Sequence, residues 1–421
     1  MIIRRKASSN VSQLRQPPIL CLLKHLFLLL LWLVIDNNRG ERSVLSSAYA
    51  FQHSAISSLP SSPSFFIHKM TASASTNDEE AAPIIKSIVH NNSKRKKQKQ
   101  NYLHVLWKFS RPHTIIGSAL AIPALHLLAA PTYRDALTIK TLASITYATI
   151  PALLMNLYIT GLNEITDVEI DKINKPDLPI ASGELSIENA TIIVIVALVL
   201  SIVSGMMNAI PSLSTGGLSM ALSVSAVLGT LYSLRPFRLK RFPVLAAFCI
   251  VAVRGAVINA GFFAHASVAA FGSSHQTILH YLMTDPRCYL SSLYFAVFGV
   301  VIALMKDVPD VKGDCESNIR SFAVRLGPAR IYRGMHRLLT TLFWGVGVAF
   351  FRGAATGAVD ASSMIRLGGR LIIGVSALLA GISVQREAAP IDPENPKEVY
   401  GFYMHLWKLF YLSYFVLPLA R

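Results

Sequence analysis

The sequence predicts an all-α, polytopic membrane protein: about nine transmembrane helices in a bundle around a central cavity. Three observations carry that expectation. The 421 residues are 52% hydrophobic and only 15% charged, where a soluble domain carries about 25% charged residues. Apolar runs near the length needed to cross a bilayer recur from Pro112 to the C-terminus. Lysine and arginine concentrate in alternate connections, as expected when those loops share one side of a membrane.

The chain opens on the basic "MIIRRKASSN", followed by an apolar segment at 19–35 broken by Lys24. Small residues in "SVLSSAYA" then offer a cleavage point between Ala50 and Phe51. Residues from Ser54 to Ser75 are rich in serine and poor in acids, and "NNSKRKKQKQ" follows at 91–100. We read 1–50 as a signal-like leader, 51–100 as a transit-like and basic disordered segment, and 101–421 as the membrane domain. The join at "AYAF" resembles the bipartite presequences that deliver proteins into complex plastids, which implies a multi-pass protein of a plastid membrane. A signal anchor with a tether is the alternative. The net charge of +17 is concentrated early: residues 1–111 hold 16 Lys/Arg against 5 Asp/Glu. Beside a membrane domain such an arm is topogenic or lipid-facing, so no nucleic-acid partner is expected. Cys21, Cys249, Cys288 and Cys315 show no CxxC or zinc-ligand spacing.

The apolar segments lie near 113–131, 139–162, 189–210, 218–234, 243–264, 288–306, 331–351, 367–385 and 402–420. Basic residues precede the first segment and populate loops two–three, four–five, six–seven and eight–nine. These loops are therefore expected on the side of the N-terminus. His265, His275 and His280 fall at the opposite side and read as loop residues there.

Two acidic motifs mark the shared side. Asn163, Asp167 and Asp171 follow the second apolar segment at i, i+4, i+8 spacing, which puts them on one helix face. Asp307, Asp310 and Asp314 follow the sixth at i, i+3, i+7, with Pro309 and Gly313 expected to distort that helix. Charges at membrane depth must face a polar cavity or a partner. Two facing carboxylate clusters repel unless cations lie between them. Hard oxygen ligands that can share a cation with phosphate suit Mg²⁺. The six residues are thus the candidate metal ligands of a diphosphate site. Glu164, Glu169 and Asp177 fall off the main faces and read either as supports behind the ligands or as surface residues.

Basic groups complete that reading. "LYSLRPFRLKR" carries Arg235, Arg238, Lys240 and Arg241, and Arg111 opens the first segment on the same side. Guanidinium and ammonium groups hold diphosphate oxygens. Arg111, Arg238, Lys240 and Lys175 are the candidate diphosphate ligands. Tyr232 offers either a ring face to a cation or ordinary packing.

"NEITDVEIDKINKP", "YSLRPFRLK" and "KDVPDVKGD" resemble motifs of the intramembrane aromatic prenyltransferases of the UbiA superfamily, over about residue 101 to the C-terminus. The acidic words match that family's N-x-x-x-D-x-x-x-D and D-x-x-D-x-x-x-D patterns. "FSRPHTIIG", "NKPDLPIASGE", "IRSFAVRLG" and "WKLFY" resemble its homogentisate-using branch, and "DVEIDK", "ASGE" and "NIRSF" its phytyl-transferring members. The resemblance implies transfer of a prenyl group from an allylic diphosphate to homogentisate, with loss of CO₂. It implies Mg²⁺ as cofactor, a lipid bilayer as surroundings and no obligate protein partner. Lys240 and Tyr232 would act at the reacting end of the donor. Asp171 and Asp314 are candidates for receiving the ring proton. Two positions depart from the pattern: Glu164 follows the motif asparagine where many relatives have Asp or Gln, and Leu178 stands where bacterial relatives tend to have arginine, so that a diphosphate ligand is either missing or replaced by Lys175. Solanesyl transfer is the nearest alternative. A secondary transporter is the alternative of another class, disfavoured because its acids would gather near mid-bilayer.

Overall fold

The computed structural model describes residues 102–206, 210, 212–274, 277–356 and 361–420. The expected leader, the transit-like segment and His275 lie outside the described residues.

Among the described residues the chain is helical and has no strand. Nine long helices follow a short one at Tyr102–Phe109. They are α1 (Pro112–Ala129), α2 (Ile139–Thr166), α3 (Ile187–Met206), α4 (Gly216–Ser233), α5 (Pro243–Ala269), α6 (Pro286–Lys306), α7 (Pro328–Ala355), α8 (Ala361–Ala388) and α9 (Pro396–Val416). Five of them start on proline, whose fixed φ and missing N–H suit the first helical position. α1 through α8 are long and apolar enough to span a membrane. The ninth has the length, 21 residues, but its tyrosines, His405 and Lys408 reduce its hydropathy. The protein is a multi-pass membrane protein.

The helices divide into an inner ring and an outer layer. α1 packs on α2, α5 and α9, α4 joins α2 to α5, and α6 closes the ring against α5 and α9. α3 lies outside on α2 and α4, and the α7–α8 hairpin leans on α6 and α9. The outer helices expose apolar side chains such as Ile192, Val196 and Leu200 on α3, and Ile372, Val375 and Leu379 on α8. A row of this kind is stable against lipid and a liability in water.

The acidic motifs do not continue their helices. α2 ends at Thr166, Asp167 takes a non-helical conformation, and a new helix runs Val168–Asn174. α6 likewise stops before Asp307, and Val311–Glu316 forms a separate short helix. These two short helices pack on each other. Asn174 joins them: its Nδ2 donates to the Asp310 carbonyl at 3.0 Å, and its Oδ1 accepts from the Gly313 N–H at 2.9 Å. A Cβ at Gly313 would lie 2.4 Å from Asn174 Oδ1, so the contact needs glycine there.

Candidate active site

A cavity of about 740 Å³ runs through the inner ring. α1, α2, α4, α5, α6 and α9 wall it, and among the described residues none of α3, α7 or α8 lines it. Its body is apolar, built from side chains such as Met155, Ile159, Leu222 and Phe262. A second cavity of about 50 Å³ shares Arg111, Asn163, Lys175, Tyr232, Lys306 and Asp310 with it. The small cavity is the charged mouth of the large one.

All six residues expected to hold a metal line this mouth: Asn163, Asp167, Asp171, Asp307, Asp310 and Asp314. The basic candidates Arg111, Lys175 and Lys240 line it too, with Tyr232. Arg238 reaches it by pairing with Asp167, its Nη2 2.9 Å from Oδ1. Arg235 and Arg241 are exposed and outside the linings of both cavities. The expected continuous face of Asn163, Asp167 and Asp171 is interrupted at Asp167. The three still converge: Asn163 Nδ2 donates to Asp167 Oδ2 at 3.0 Å, and the Asp171 N–H bonds the Asp167 carbonyl at 2.8 Å. The helix break turns the chain without dispersing the side chains.

Basic groups occupy most of the carboxylates. Asp167 is paired with both Arg238 and Lys240, and Asp310 with Lys175. Asp307 lies 3.4 Å from Lys306, and Asp171 3.8 Å from Arg111. Arg111 and Arg238 both hold left-handed backbones, with φ of 51° and 37°. Such conformations cost about 1–3 kcal/mol and cluster at functional sites. Burial pushes the Asp167 carboxyl up, but Lys240 and Arg238 outweigh it and hold Asp167 below the usual range. Burial lowers the Lys240 ammonium to about 8 despite Asp167. Asp171 and Asp307 are raised by burial, against the opposing pull of Arg111 and Lys306. Asp314 is pushed up to about 7 by burial and by Asp307 and Asp310.

The donor set fits a hard divalent cation. Every candidate ligand offers oxygen, and Asp171 Oδ2 is buried with no hydrogen-bond partner. Five aspartates and four basic side chains line the mouth. The basic groups do not outnumber the acids, so a further anion in the mouth would need further positive charge. Among the described residues no three His, Cys, Asp or Glu side chains converge into a metal cage.

Several residues escaped the sequence reading. Lys306 was hidden inside the "MKDVPD" word; it donates to the Tyr232 hydroxyl at 3.2 Å and lies 5.8 Å from that ring's centroid. Of the two roles open to Glu164, the structure shows the supporting one: it is fully buried, and its Oε1 accepts from the Ile180 N–H at 3.0 Å, pinning the loop after the first motif. Glu169 is exposed on Lys172, and Asp177 is exposed at the cavity edge. Leu178 and Lys175 both line the large cavity. His265 is no loop residue: α5 extends to Ala269, and the imidazole is fully buried. Its Nε2 meets Ser144 Oγ at 3.1 Å and its Nδ1 meets Thr215 Oγ1 at 2.9 Å. Cys249 is buried and borders the cavity, and Cys249, Cys288 and Cys315 are free thiols.

Known proteins share this arrangement of sequence. The UbiA prenyltransferase family pattern matches residues 118–409. A homogentisate geranylgeranyltransferase of Hordeum vulgare is 37% identical over 321 residues, covering 76% of this chain and 73% of the relative. Homogentisate phytyltransferase 1, chloroplastic, of Arabidopsis thaliana is 36% identical over 332 residues, covering 78% of each chain. Homogentisate solanesyltransferase, chloroplastic, of the same plant is 33% identical over 328 residues, covering 75% and 76%. With a match of that extent and relatives of that identity, the chain belongs to the UbiA prenyltransferase family.

Proposed function

We propose that this protein transfers a prenyl group from an allylic prenyl diphosphate to homogentisate with loss of CO₂, with phytyl as the favoured donor and tocopherol synthesis as its setting. One observation carries the reading: two carboxylate motifs, remote in sequence, meet in one charged mouth above a long apolar cavity. The relatives named for homogentisate support the acceptor. This chain's identities to the phytyl- and geranylgeranyl-transferring relatives, 36% and 37%, are nearly equal, so the donor preference rests on the short words around the motifs. The chloroplastic relatives support a plastid membrane. The division into a presequence at 1–100 and the enzyme at 101–421 rests on the composition of the sequence.

The chemistry follows from the residues. Asn163, Asp167, Asp171, Asp307, Asp310 and Asp314 would hold Mg²⁺, which when bound neutralises charge on the departing diphosphate. Arg111, Lys175, Arg238 and Lys240 receive the diphosphate oxygens through charge-assisted hydrogen bonds. Tyr232 and Lys306 stand where the two cavities meet. The Tyr232 ring faces the allylic carbon as positive charge develops on it. The apolar cavity keeps water from that carbon until the electron-rich ring attacks. A carbon–carbon bond forms as the carbon–oxygen bond to diphosphate breaks. Asp171 or Asp314 receives the ring proton. Release of CO₂ turns the side chain into a methyl group, whose new proton balances the one lost from the ring.

The test uses the full chain expressed in a membrane host, given ring-labelled homogentisate. Parallel samples receive phytyl, geranylgeranyl or solanesyl diphosphate, with Mg²⁺ or with EDTA. A metal-dependent methylphytylquinol, lost in Asp167→Ala and Asp307→Ala, is the expected product. Product only with solanesyl diphosphate keeps the chemistry and moves the setting to plastoquinone. No product from folded protein with any donor overturns the acceptor assignment.

A further inference from the structure

Arg254 is a cation inside the membrane with no acid to meet it. It sits on α5, within a π-helical turn at Ala252–Val257. Such turns are rare and frequently mark functional sites. The turn is fixed by close packing on α6: a Cβ at Gly255 would lie 2.6 Å from Ala296. The side chain lines the large cavity. Its guanidinium carbon lies 4.7 Å from the centre of the Trp407 ring. Among the described residues it forms no salt bridge, whereas the mouth cations Arg111, Lys175, Arg238, Lys240 and Lys306 each face an aspartate. A charge at membrane depth is costly and marks a functional pathway when it faces a cavity.

Its surroundings are aromatic. The His113 and Trp407 rings are 5.1 Å apart in an edge-on arrangement, and Tyr403 lies 6.4 Å from His113. His113, Tyr403 and Trp407 all border the cavity beside Arg254. Arg254 is also below the diphosphate mouth. Its Cβ is 3.8 Å from where a Cβ would stand on Gly299, and Gly299 precedes Lys306 on α6 by about 10 Å at 1.5 Å per residue.

We infer that Arg254, held over Trp407, receives the carboxylate of the aromatic acid acceptor, while the rings of His113, Tyr403 and Trp407 flank the acceptor ring. This deepens the proposed function and rests on an acceptor that carries a carboxylate. The placement separates the two anionic substrates. The diphosphate is held at the mouth by paired cations, and the acid is held deeper by an unpaired one. Arg254 is a positioning residue: it orients the ring toward the allylic carbon and holds the carboxylate until carbon dioxide leaves.

The experiment compares wild type with Arg254→Gln and Arg254→Lys in membranes. It records KM for homogentisate and for phytyl diphosphate, and equilibrium binding of labelled homogentisate. It also records how well homogentisate methyl ester competes for that binding. Arg254→Gln should raise KM and weaken binding for homogentisate by about 10- to 100-fold, as expected for a lost charge-assisted pair. KM for phytyl diphosphate should stay within about twofold, and the preference for acid over ester should vanish. Arg254→Lys should restore part of the preference. Unchanged homogentisate KM in folded Arg254→Gln overturns the inference, as does an equal loss for both substrates. Wild-type binding without turnover overturns the proposed function alone, and the binding arm still decides the carboxylate site. No wild-type binding and no turnover overturns both.

Discussion

Two polar regions are buried in this bundle, and they are finished to different degrees. At the far end from the mouth, His126, Ser144, Thr215 and His265 form one chain of hydrogen bonds. His126 Nδ1 meets the Ile122 carbonyl at 2.8 Å and its Nε2 meets Ser144 at 3.0 Å. His265 continues to Thr215, so both ring nitrogens of both histidines are engaged. At the mouth, Asp171 Oδ2, Arg111 Nε and Arg238 Nε are buried without hydrogen-bond partners. Both regions tie together helices that are distant in sequence. The histidine network is complete, whereas the mouth leaves groups of its own unanswered. A satisfied polar network specifies a fold, and an unsatisfied one states what a ligand has to bring.

The comparison breaks most visibly if the mouth proves structural. Asp171→Asn removes a charge whose outer oxygen has no hydrogen-bond partner. Product formation should fall by at least about 10²-fold, the scale for losing one electrostatic contact at a reacting centre. The thermal midpoint in detergent should hold or rise, since the site carries unrelieved burial cost. A fall in stability that matches the fall in activity would make Asp171 a fold residue.

Gly313→Ala should act next in size. The added methyl group meets Asn174 and pushes the two short motif helices apart. The Mg²⁺ concentration for half-maximal activity should rise by about tenfold, on the scale of lost supporting contacts at metal sites. An unchanged metal requirement would show that the two motifs do not act as one site.

Ser144→Ala should be the mildest and the opposite in kind. It takes the shared partner from His126 and His265 and should cost about 1–2 kcal/mol of stability, in the range of interhelical hydrogen bonds in membranes. KM for both substrates should stay unchanged. A selective loss of activity would mean that the far end takes part in catalysis.

The two regions also differed in how well the sequence announced them. Aspartates at i, i+4 and i+3 after long apolar runs violate membrane cost so plainly that the mouth and most of its residues were legible. The break at Asp167 was not, because that spacing converges on one site whether the helix continues or turns. His265 is not legible as a helix residue because it and Ser267 end the apolar run inside α5, and buried hydrogen bonds to Ser144 and Thr215 leave no local mark. Arg254 stands alone in an apolar run, and its meaning depends on Trp407, over 150 residues away. Lys306 is adjacent to Asp307 and was absorbed into the acidic word. Local pattern reported where charge had to be explained. Only tertiary packing reported which charges explain one another.

The central claim is that the mouth awaits a diphosphate and a divalent cation together. Thermal unfolding of the purified protein in detergent tests it, with Mg²⁺ alone, phytyl diphosphate alone and both. Ligands that bind the folded state raise its midpoint. The account predicts a rise of several degrees only when both are present. That rise should be absent in Asp171→Asn and retained in Ser144→Ala from a lower starting point. An equal rise with the diphosphate alone, or one that survives in Asp171→Asn, would contradict it.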